Sequence, residues 1–276
     1  MNIQELIDAG KLVRKDIINM IYEAGSGHPG GSLSCVEIMV SLYWGILKHD
    51  PKNPAWEERD RVIFSKGHVC PTLYSCLARK GYFDDKQLCT LRKCGTKLQG
   101  HPGYCYNLPG IETTTGSLGQ GLSIGVGMAL GMINKKINSR VYVLLGDGEL
   151  QSGQIWEAVM SASHFKLDNL CAIVDNNNLQ IDGFVDDVMS IKPLKEKWES
   201  FGWHAIEIDG HNFNEILDAY KKAMTIKKKP TVIIAKTIKG KGISFMENIA
   251  DWHGKSPNAE QRDKALQEIE NKAIGI

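Results

Sequence analysis

Val141-Tyr-Val-Leu-Leu-Gly-Asp-Gly148 decides how this chain is read. Five apolar or aromatic residues run straight into G-D-G. An unbroken apolar run that stops at glycine marks a strand buried on both faces, and such strands belong to parallel sheets covered by helices. Glycine loops after buried strands commonly cradle phosphates with their backbone N–H groups. This loop holds a carboxylate, which repels a phosphate unless a divalent cation lies between them. Magnesium takes six oxygens, usually from one or two carboxylates, neutral oxygens, water and substrate phosphates. Asp147 is therefore a candidate metal ligand, and Gly146 and Gly148 allow close backbone approach to phosphate oxygens.

The pattern repeats downstream. Val141–Leu145, Leu170–Val174, Ala205–Ile208 and Thr231–Ala235 read as short buried strands whose starts lie 29, 35 and 26 residues apart. Amphipathic segments near 153–166, 192–201 and 213–226 fill the gaps. About 30 residues per repeat is the size of a βαβ unit. The expected fold class is α/β, a parallel sheet with helices on both faces. Upstream, Ile3, Leu6, Ile7, Leu12, Val13, Ile17, Ile18 and Ile21 form a helical stripe that stops at Gly25-Ser-Gly27, and a second apolar helix is expected over about 33–47. No Ser/Pro-rich linker or internal repeat divides the chain, so residues 1–276 are read as one domain with a looser tail from about 256.

Composition excludes several classes of function. With 33 basic and 32 acidic residues the formal net charge is +1, which argues against a nucleic-acid or membrane-surface binder. Lys227-Lys-Lys229 reads as a solvated loop. No apolar run approaches the roughly 18 residues of a membrane span. Seven cysteines, an odd number behind a start with no apolar signal core, point to a reducing cytoplasm. Cys89, Cys94 and Cys105 near His101 lack the spacing of a tight zinc knuckle, so no zinc site is expected.

Ligands in such sheets bind beyond the carboxyl ends of the strands. Asp175-Asn-Asn-Asn178 follows the second strand as G-D-G follows the first, and Asp147 and Asn177 lie 177 − 147 = 30 residues apart. Taken singly, each segment is an ordinary turn. Together, on neighbouring strands, they reach one crevice. Asn177 can then offer an amide oxygen, and the backbone carbonyl near Leu179 a third ligand.

The runs G-D-G-E-L-Q-S-G-Q-I-W-E-A and D-N-N-N-L-Q-I-D-G resemble the thiamine diphosphate motif and, more narrowly, the N-terminal region of the transketolases. Ser26-Gly-His-Pro-Gly-Gly31, Arg59-Asp-Arg61, Ser65-Lys-Gly-His68, Gly100-His-Pro-Gly103, Thr114-Thr-Gly-Ser-Leu-Gly-Gln-Gly121 and His253-Gly254 appear in that family's order. The resemblance implies that Asp147, Asn177 and the Leu179 carbonyl hold magnesium, or another divalent cation, on thiamine diphosphate. It also implies cofactor contacts from Gly146, Gly148, Asn177, His68 and His253, with Gly116, Ser117 and Leu118 against the aminopyrimidine side. Glu157, which matches a member of a carboxylate network linking paired active sites, is counted with these. Ser152 departs from the family, which usually has a glutamate there.

Four of the eight histidines, His28, His68, His101 and His253, sit beside glycine. Alone, each reads as a turn residue. The resemblance gives His28 and His253 to proton transfer or substrate hydroxyls, and His101 to the donor's terminal hydroxyl. The implied activity is transfer of a two-carbon ketol group from a ketose phosphate to an aldose phosphate. Alternatives are a deoxyxylulose-phosphate synthase-like enzyme, a transketolase for an unusual ketose, or a non-catalytic thiamine diphosphate-binding module.

The family activates its cofactor with a glutamate from a second domain. No second parallel-sheet region follows here, and Glu149, Glu157 and Glu207 do not match that residue. The expectation is a split enzyme whose C-terminal transketolase subunit carries the activating glutamate, in an α2β2 assembly. Gly121, Gly125, Gly127 and Gly131 would suit either a subunit interface or a buried helix within the domain.

Overall fold

In the computed structural model, which describes residues 2–272, 274 and 275, the parallel strands are where the apolar runs place them. Strand β1 is Arg61–Phe64, β2 Val141–Gly146, β3 Leu170–Asn176, β6 His204–Asp209 and β7 Thr231–Lys236, in the sheet order β1-β2-β3-β7-β6. Every pairing is parallel. A two-stranded hairpin, β4 (Leu179–Gln180) with β5 (Gly183–Phe184), follows the Asn-rich turn. The four expected strands each extend by a residue or two at one or both ends. Strand β1 was not expected, because four residues are too few to show a period.

Helices cover both faces, as expected. Alternate residues of each strand point to opposite sides. Val62, Phe64, Tyr142, Leu144, Ile173 and Ile233 join the core under helices α1 (Ile3–Ala24), α3 (Val36–Ser41), α4 (Cys70–Arg79) and α9 (Phe213–Thr225). Ile63, Val143, Leu145, Ala172, Val174 and Val232 join the core under α5 (Gln120–Asn134), α6 (Gly153–His164) and α8 (Leu194–Ser200). Helix α1 begins at a capping box, Asn2 with Glu5, and ends at Gly25 in the left-handed conformation. The short helix α7 (Val185–Met189) follows the hairpin.

Two local expectations change. The helix expected over 33–47 is in pieces: α2 (Pro29–Ser34), then a break at Cys35 (φ −101°, ψ 12°), then α3, then a wider turn at Leu42–Ile46. An apolar run reports burial and does not report a bend, so periodicity missed the break. Beyond residue 256, where a looser tail is expected, α10 (Ala259–Asn271) starts at a capping box of Asn258 with Gln261 and buries Ala265 and Ile269.

Helix α5 decides between the alternatives for only some of its glycines. Gly125 lies on Val143, where an added Cβ would come within 2.6 Å of Cγ2, so this face packs inside the domain. Gly127 and Gly131 meet nothing within 4 Å among the described residues.

Candidate active site

Strands β2 and β3 are neighbours with Gly146 in register with Asp175, so the two polar turns meet at one end of the sheet. A cavity of about 260 Å³ opens there, lined by residues from both turns, from the hairpin and from the histidine loops. Asp147 is buried at its floor. Its Oδ1 accepts the Gly148 N–H at 2.8 Å, and its Oδ2 accepts the Asn178 N–H. Asn177 Oδ1 accepts the Leu179 N–H at 3.0 Å, and the Leu179 carbonyl accepts Lys239 Nζ at 2.9 Å.

The donor set fits a hard cation. Carboxylate, amide and carbonyl oxygens each retain lone pairs beyond the bonds they accept here. Electrostatics agree, because burial and then the nearby Asp175 push Asp147 up to about 6, the signature of a carboxylate short of positive charge. An anionic group fits beside it. Lys66 and Lys239 line the same cavity, and two of its buried polar atoms, His28 Nδ1 and Gln180 Nε2, lack a partner among the described residues.

The four glycine-flanked histidines converge. His28 lies 5.1 Å from His68, 5.4 Å from His253 and 6.4 Å from His101, centroid to centroid, and His68 lies 5.3 Å from His253. All four line the cavity. His28 enters from the N-terminus of α2, where Pro29 fixes the first turn, and His68 from the turn after β1. Burial holds all four imidazoles below their ordinary value. His28 is pushed down to about 4 by burial, then by Arg92, His101 and Lys239. His253 is pushed down to about 3 by burial, then by Lys239, His28 and Lys66. His68 lies well below the ordinary value, and His101 below it. They are neutral at pH 7, so each offers one N–H and one acceptor nitrogen. Lys239 Nζ lies 2.9 Å from His253 Nδ1. With the ammonium donating to Nδ1, the His253 ring proton is assigned to Nε2.

Residues 3–270 match the transketolase thiamine diphosphate binding domain. The chain belongs to the transketolase family. It is 43% identical over 256 residues to one subunit of an apulose-4-phosphate transketolase from Phocaeicola vulgatus, covering 93% of this chain and 90% of that one. It is 44% identical over 266 residues to a 6-deoxy-6-sulfo-D-fructose transketolase subunit from a Clostridium species, covering 96% of each. Human transketolase is 40% identical over 268 residues that make up 97% of this chain and 42% of the human one. The crystal structure of Campylobacter jejuni transketolase superposes with a TM-score of 0.92 at 36% identity, over 99% of this chain and 44% of that one. The chain is thus similar almost end to end to transketolase subunits, and spans about two-fifths of the single-chain transketolases. It is a transketolase-type transferase subunit of the kind that carries the thiamine diphosphate-binding domain.

Of the transketolase positions assigned by resemblance, His28, His68, His101, Gly116, Leu118, Gly146, Asp147, Gly148, Asn177, Leu179 and His253 line the cavity. Gly116 has φ +136° and lies so close to the His101 ring that a Cβ would sit 2.9 Å from Cδ2. Two positions do not reach the cavity. Ser117 is exposed at its edge, and Glu157 is exposed on the outer side of α6. A helix presents residues about 100° apart, and Ile155, Ala158 and Val159 take the inward side of α6, so Glu157 is turned out. Glu157 is therefore not a cofactor contact within this chain.

Among the charged residues of the cavity, sequence reasoning missed three. Lys66 and Lys239 sit in loops where a lysine reads as solvated, and nothing in sequence marks either as buried. Glu149 follows G-D-G directly and reads in sequence as one more strand-end carboxylate. It is buried and accepts from Ser65 Oγ, from the Gly119 N–H at 2.9 Å and from the Gly146 N–H at 3.0 Å. It thus ties the loop after β1, the loop before α5 and the G-D-G turn to one another. Glu149→Gln keeps one acceptor oxygen and turns an NH2 toward an N–H. That substitution is expected to cost about 1–3 kcal/mol of stability, read as a lower urea midpoint at unchanged slope.

Proposed function

We propose that this chain anchors thiamine diphosphate and a divalent cation for transfer of a two-carbon ketol group between sugar phosphates, and that it acts together with a C-terminal transketolase subunit carrying the activating glutamate. The observation that carries the reading is the convergence of four neutral histidines on a cavity whose floor holds Asp147, Asn177 and the Leu179 carbonyl. Those three oxygens hold the cation, which is magnesium by its preference for hard oxygen ligands. Lys239 balances the diphosphate, Lys66 being paired with Asp175, and His68 and His253 reach it. Bound there, the cofactor supplies the electron sink for cleaving the ketose carbon–carbon bond.

The chain's own side chains orient the sugar and handle its protons. The donor hydroxyl loses a proton as the bond breaks, and the acceptor's new alkoxide gains one. His28, neutral and with an unpartnered Nδ1 among the described residues, can accept the first, and the Nε2–H of His253, 5.4 Å away ring to ring, can donate toward the second. His101, 6.4 Å from His28, holds the donor's terminal hydroxyl. Relatives of matching length are named for apulose-4-phosphate and 6-deoxy-6-sulfo-D-fructose. The donor is accordingly sought among ketoses with an anionic far end.

The rim of the cavity supports a partner. Leu118 and Ile181 are exposed there, and Phe184, Val188 and Met189 continue an apolar surface from the hairpin into α7. Apolar area of that kind beside a site is what an obligate subunit covers. Gly127 and Gly131 on the open side of α5 suit contact with a second copy, giving an α2β2 assembly. No helix among the described residues is long and apolar enough to cross a membrane, and the free thiols suit a reducing cytoplasm.

The test is a ketol-transfer assay with thiamine diphosphate and magnesium, run on the purified chain alone and with its partner. Turnover is expected only in the mixture, with xylulose 5-phosphate and ribose 5-phosphate as first substrates and the two relatives' donors next. Full activity of the chain alone would overturn the two-subunit reading.

A further inference from the structure

Arg92 carries an inference that the site residues above do not. Its backbone has φ 60°, a left-handed conformation uncommon for a residue with a side chain. Its N–H donates to the Leu98 carbonyl at 2.7 Å, which closes the 92–98 loop. The turn sends the side chain back across the base of the loop that bears His101. There the guanidinium lies on Gly100, where an added Cβ would meet Nε, Nη2 and Cζ at 2.7, 2.8 and 2.9 Å. On its other side Nη1 donates to Ser26 Oγ at 3.2 Å, two residues before His28. One planar cation therefore spans the two loops whose imidazoles lie 6.4 Å apart at the cavity.

Arg92 also lacks the carboxylate partner that most of the chain's arginines have. Arg59 and Arg61 pair with Glu112, and Arg79 pairs with Asp16. Among the described residues no carboxylate forms an ion pair with Arg92. A guanidinium paired to a carboxylate presents little net charge to its surroundings, whereas an unpaired one presents a full positive charge and cannot lose its proton.

We propose that Arg92 is a positioning residue for the donor-side histidines: it braces the loops of His28 and His101 at one separation and faces both imidazoles with an uncompensated positive charge. A cation beside an imidazole opposes its protonation. After burial, Arg92 is the largest influence lowering both His28 and His101. The other groups facing His28 are His101, Lys239, His68 and His253, and none of them is an anion. His101 is faced by Arg92 and His28. Removing the guanidinium therefore raises both imidazoles toward their ordinary value, while lysine retains the charge and loses the planar brace. Only the kinetic consequence rests on the ketol-transfer reading.

The experiment compares wild type, Arg92→Lys and Arg92→Gln in the full chain. Histidine ring-proton resonances are followed against pH, and the donor KM, kcat and kcat/KM profile are measured with the partner subunit present. In Arg92→Gln, His28 and His101 are expected to titrate about one pH unit higher, a tenfold change in the protonated-to-neutral ratio. His204, whose charged neighbours are Lys222, Lys229, Glu199 and Lys195, serves as an unmoved reference. The acid limb of kcat/KM is expected to move with them, so that kcat/KM at a given pH on that limb falls as much as about tenfold. Arg92→Lys should keep the wild-type acid limb and raise the donor KM. Unmoved histidine titrations in a folded Arg92→Gln chain would overturn the proposal, as would an acid limb shifted equally by lysine and glutamine. If the titrations move as expected but wild type with its partner transfers no ketol group, the bracing stands and the functional reading fails.

Discussion

Asp147→Asn is expected to leave the cofactor-free chain folded and to weaken its binding of thiamine diphosphate with magnesium by about 10²–10⁴-fold. Withdrawing one charge from a buried charged contact costs about 3–5 kcal/mol, and each 1.4 kcal/mol is tenfold in affinity. Asp147 is the anionic member of the proposed ligand set, beside a neutral amide and a neutral carbonyl. Fold stability responds differently, because two effects of similar size oppose each other. The Asp147 oxygens accept N–H groups from Gly148 and Asn178, and asparagine can serve only one of them. An N–H left facing the new NH2 costs about 1–3 kcal/mol. Against this stands the relief of a buried charge. Burial, then Asp175, push Asp147 from 3.8 up to about 6. A carboxyl raised on folding contributes most below its unfolded value, and that contribution is lost as pH rises past its folded one. Over about two pH units this comes to roughly 3 kcal/mol, a loss that asparagine does not suffer. The melting temperature of the cofactor-free variant at pH 7 is therefore expected within a few degrees of wild type. Calorimetric titration with thiamine diphosphate and magnesium measures the first effect, and a thermal melt without either measures the second. Unchanged cofactor affinity would remove Asp147 from the cation site.

How much of this was legible in sequence depended on how local each signal is. Strands β2, β3 and β7 are buried on both faces, so each appears as an apolar run that needs no context. Their polar ends, G-D-G and D-N-N-N, could be placed in one crevice because about one βαβ unit separates them. Parallel neighbours separated by one such unit end at the same level. The histidines were individually uninformative. Resemblance singled them out, and their ring distances then gave that choice a physical reason. Lys66, Lys239 and Glu149 stayed hidden because their burial is a tertiary fact. Lys66 lies two residues past β1, itself too short to recognise, and Lys239 bonds the Leu179 carbonyl 60 residues away in the chain. Glu157 shows the opposite failure. It matches the family by alignment, but its position on α6 turns it to the outside. A carboxylate there can act only across an interface.

Lys66→Met is expected to be the most destabilising of these substitutions, costing about 3–5 kcal/mol, because it leaves a buried carboxylate without its counter-charge. Asp175 is fully buried and Lys66 3% exposed. The Asp175 carboxylate accepts from Lys66 Nζ, Ser34 Oγ, Thr237 Oγ1 and, at 3.2 Å, Asn177 Nδ2. Burial alone pushes Asp175 up, but Lys66 and the hydroxyl donors outweigh it and hold the carboxyl below 3.8. A carboxylate depressed on folding contributes stability above its unfolded value and loses it as pH falls through the folded one. Burial likewise pushes Lys66 down, and Asp175 outweighs it, raising the amine above 10.5. A raised amine contributes stability below 10.5 and loses it above. The pair therefore stabilises the fold across the whole range between. Without Lys66, burial governs Asp175, and the carboxyl favours its protonated form. The gap between variant and wild type should be smallest near about pH 4.5 and widen toward about pH 7.5, as urea unfolding at the two pH values would show. Lys66→Met combined with Asp175→Asn should recover much of the loss, because the stranded charge is gone. An equal gap at both pH values, with no recovery in the double variant, would mean that Lys66 acts through its methylene packing. The same pair also bears on the cation site. Asp175 accepts from the Asn177 Nδ2, and that bond assigns the amide oxygen of Asn177 to the Leu179 N–H and the proposed cation. Loss of Lys66 is thus expected to weaken cofactor binding even at temperatures where the variant remains folded.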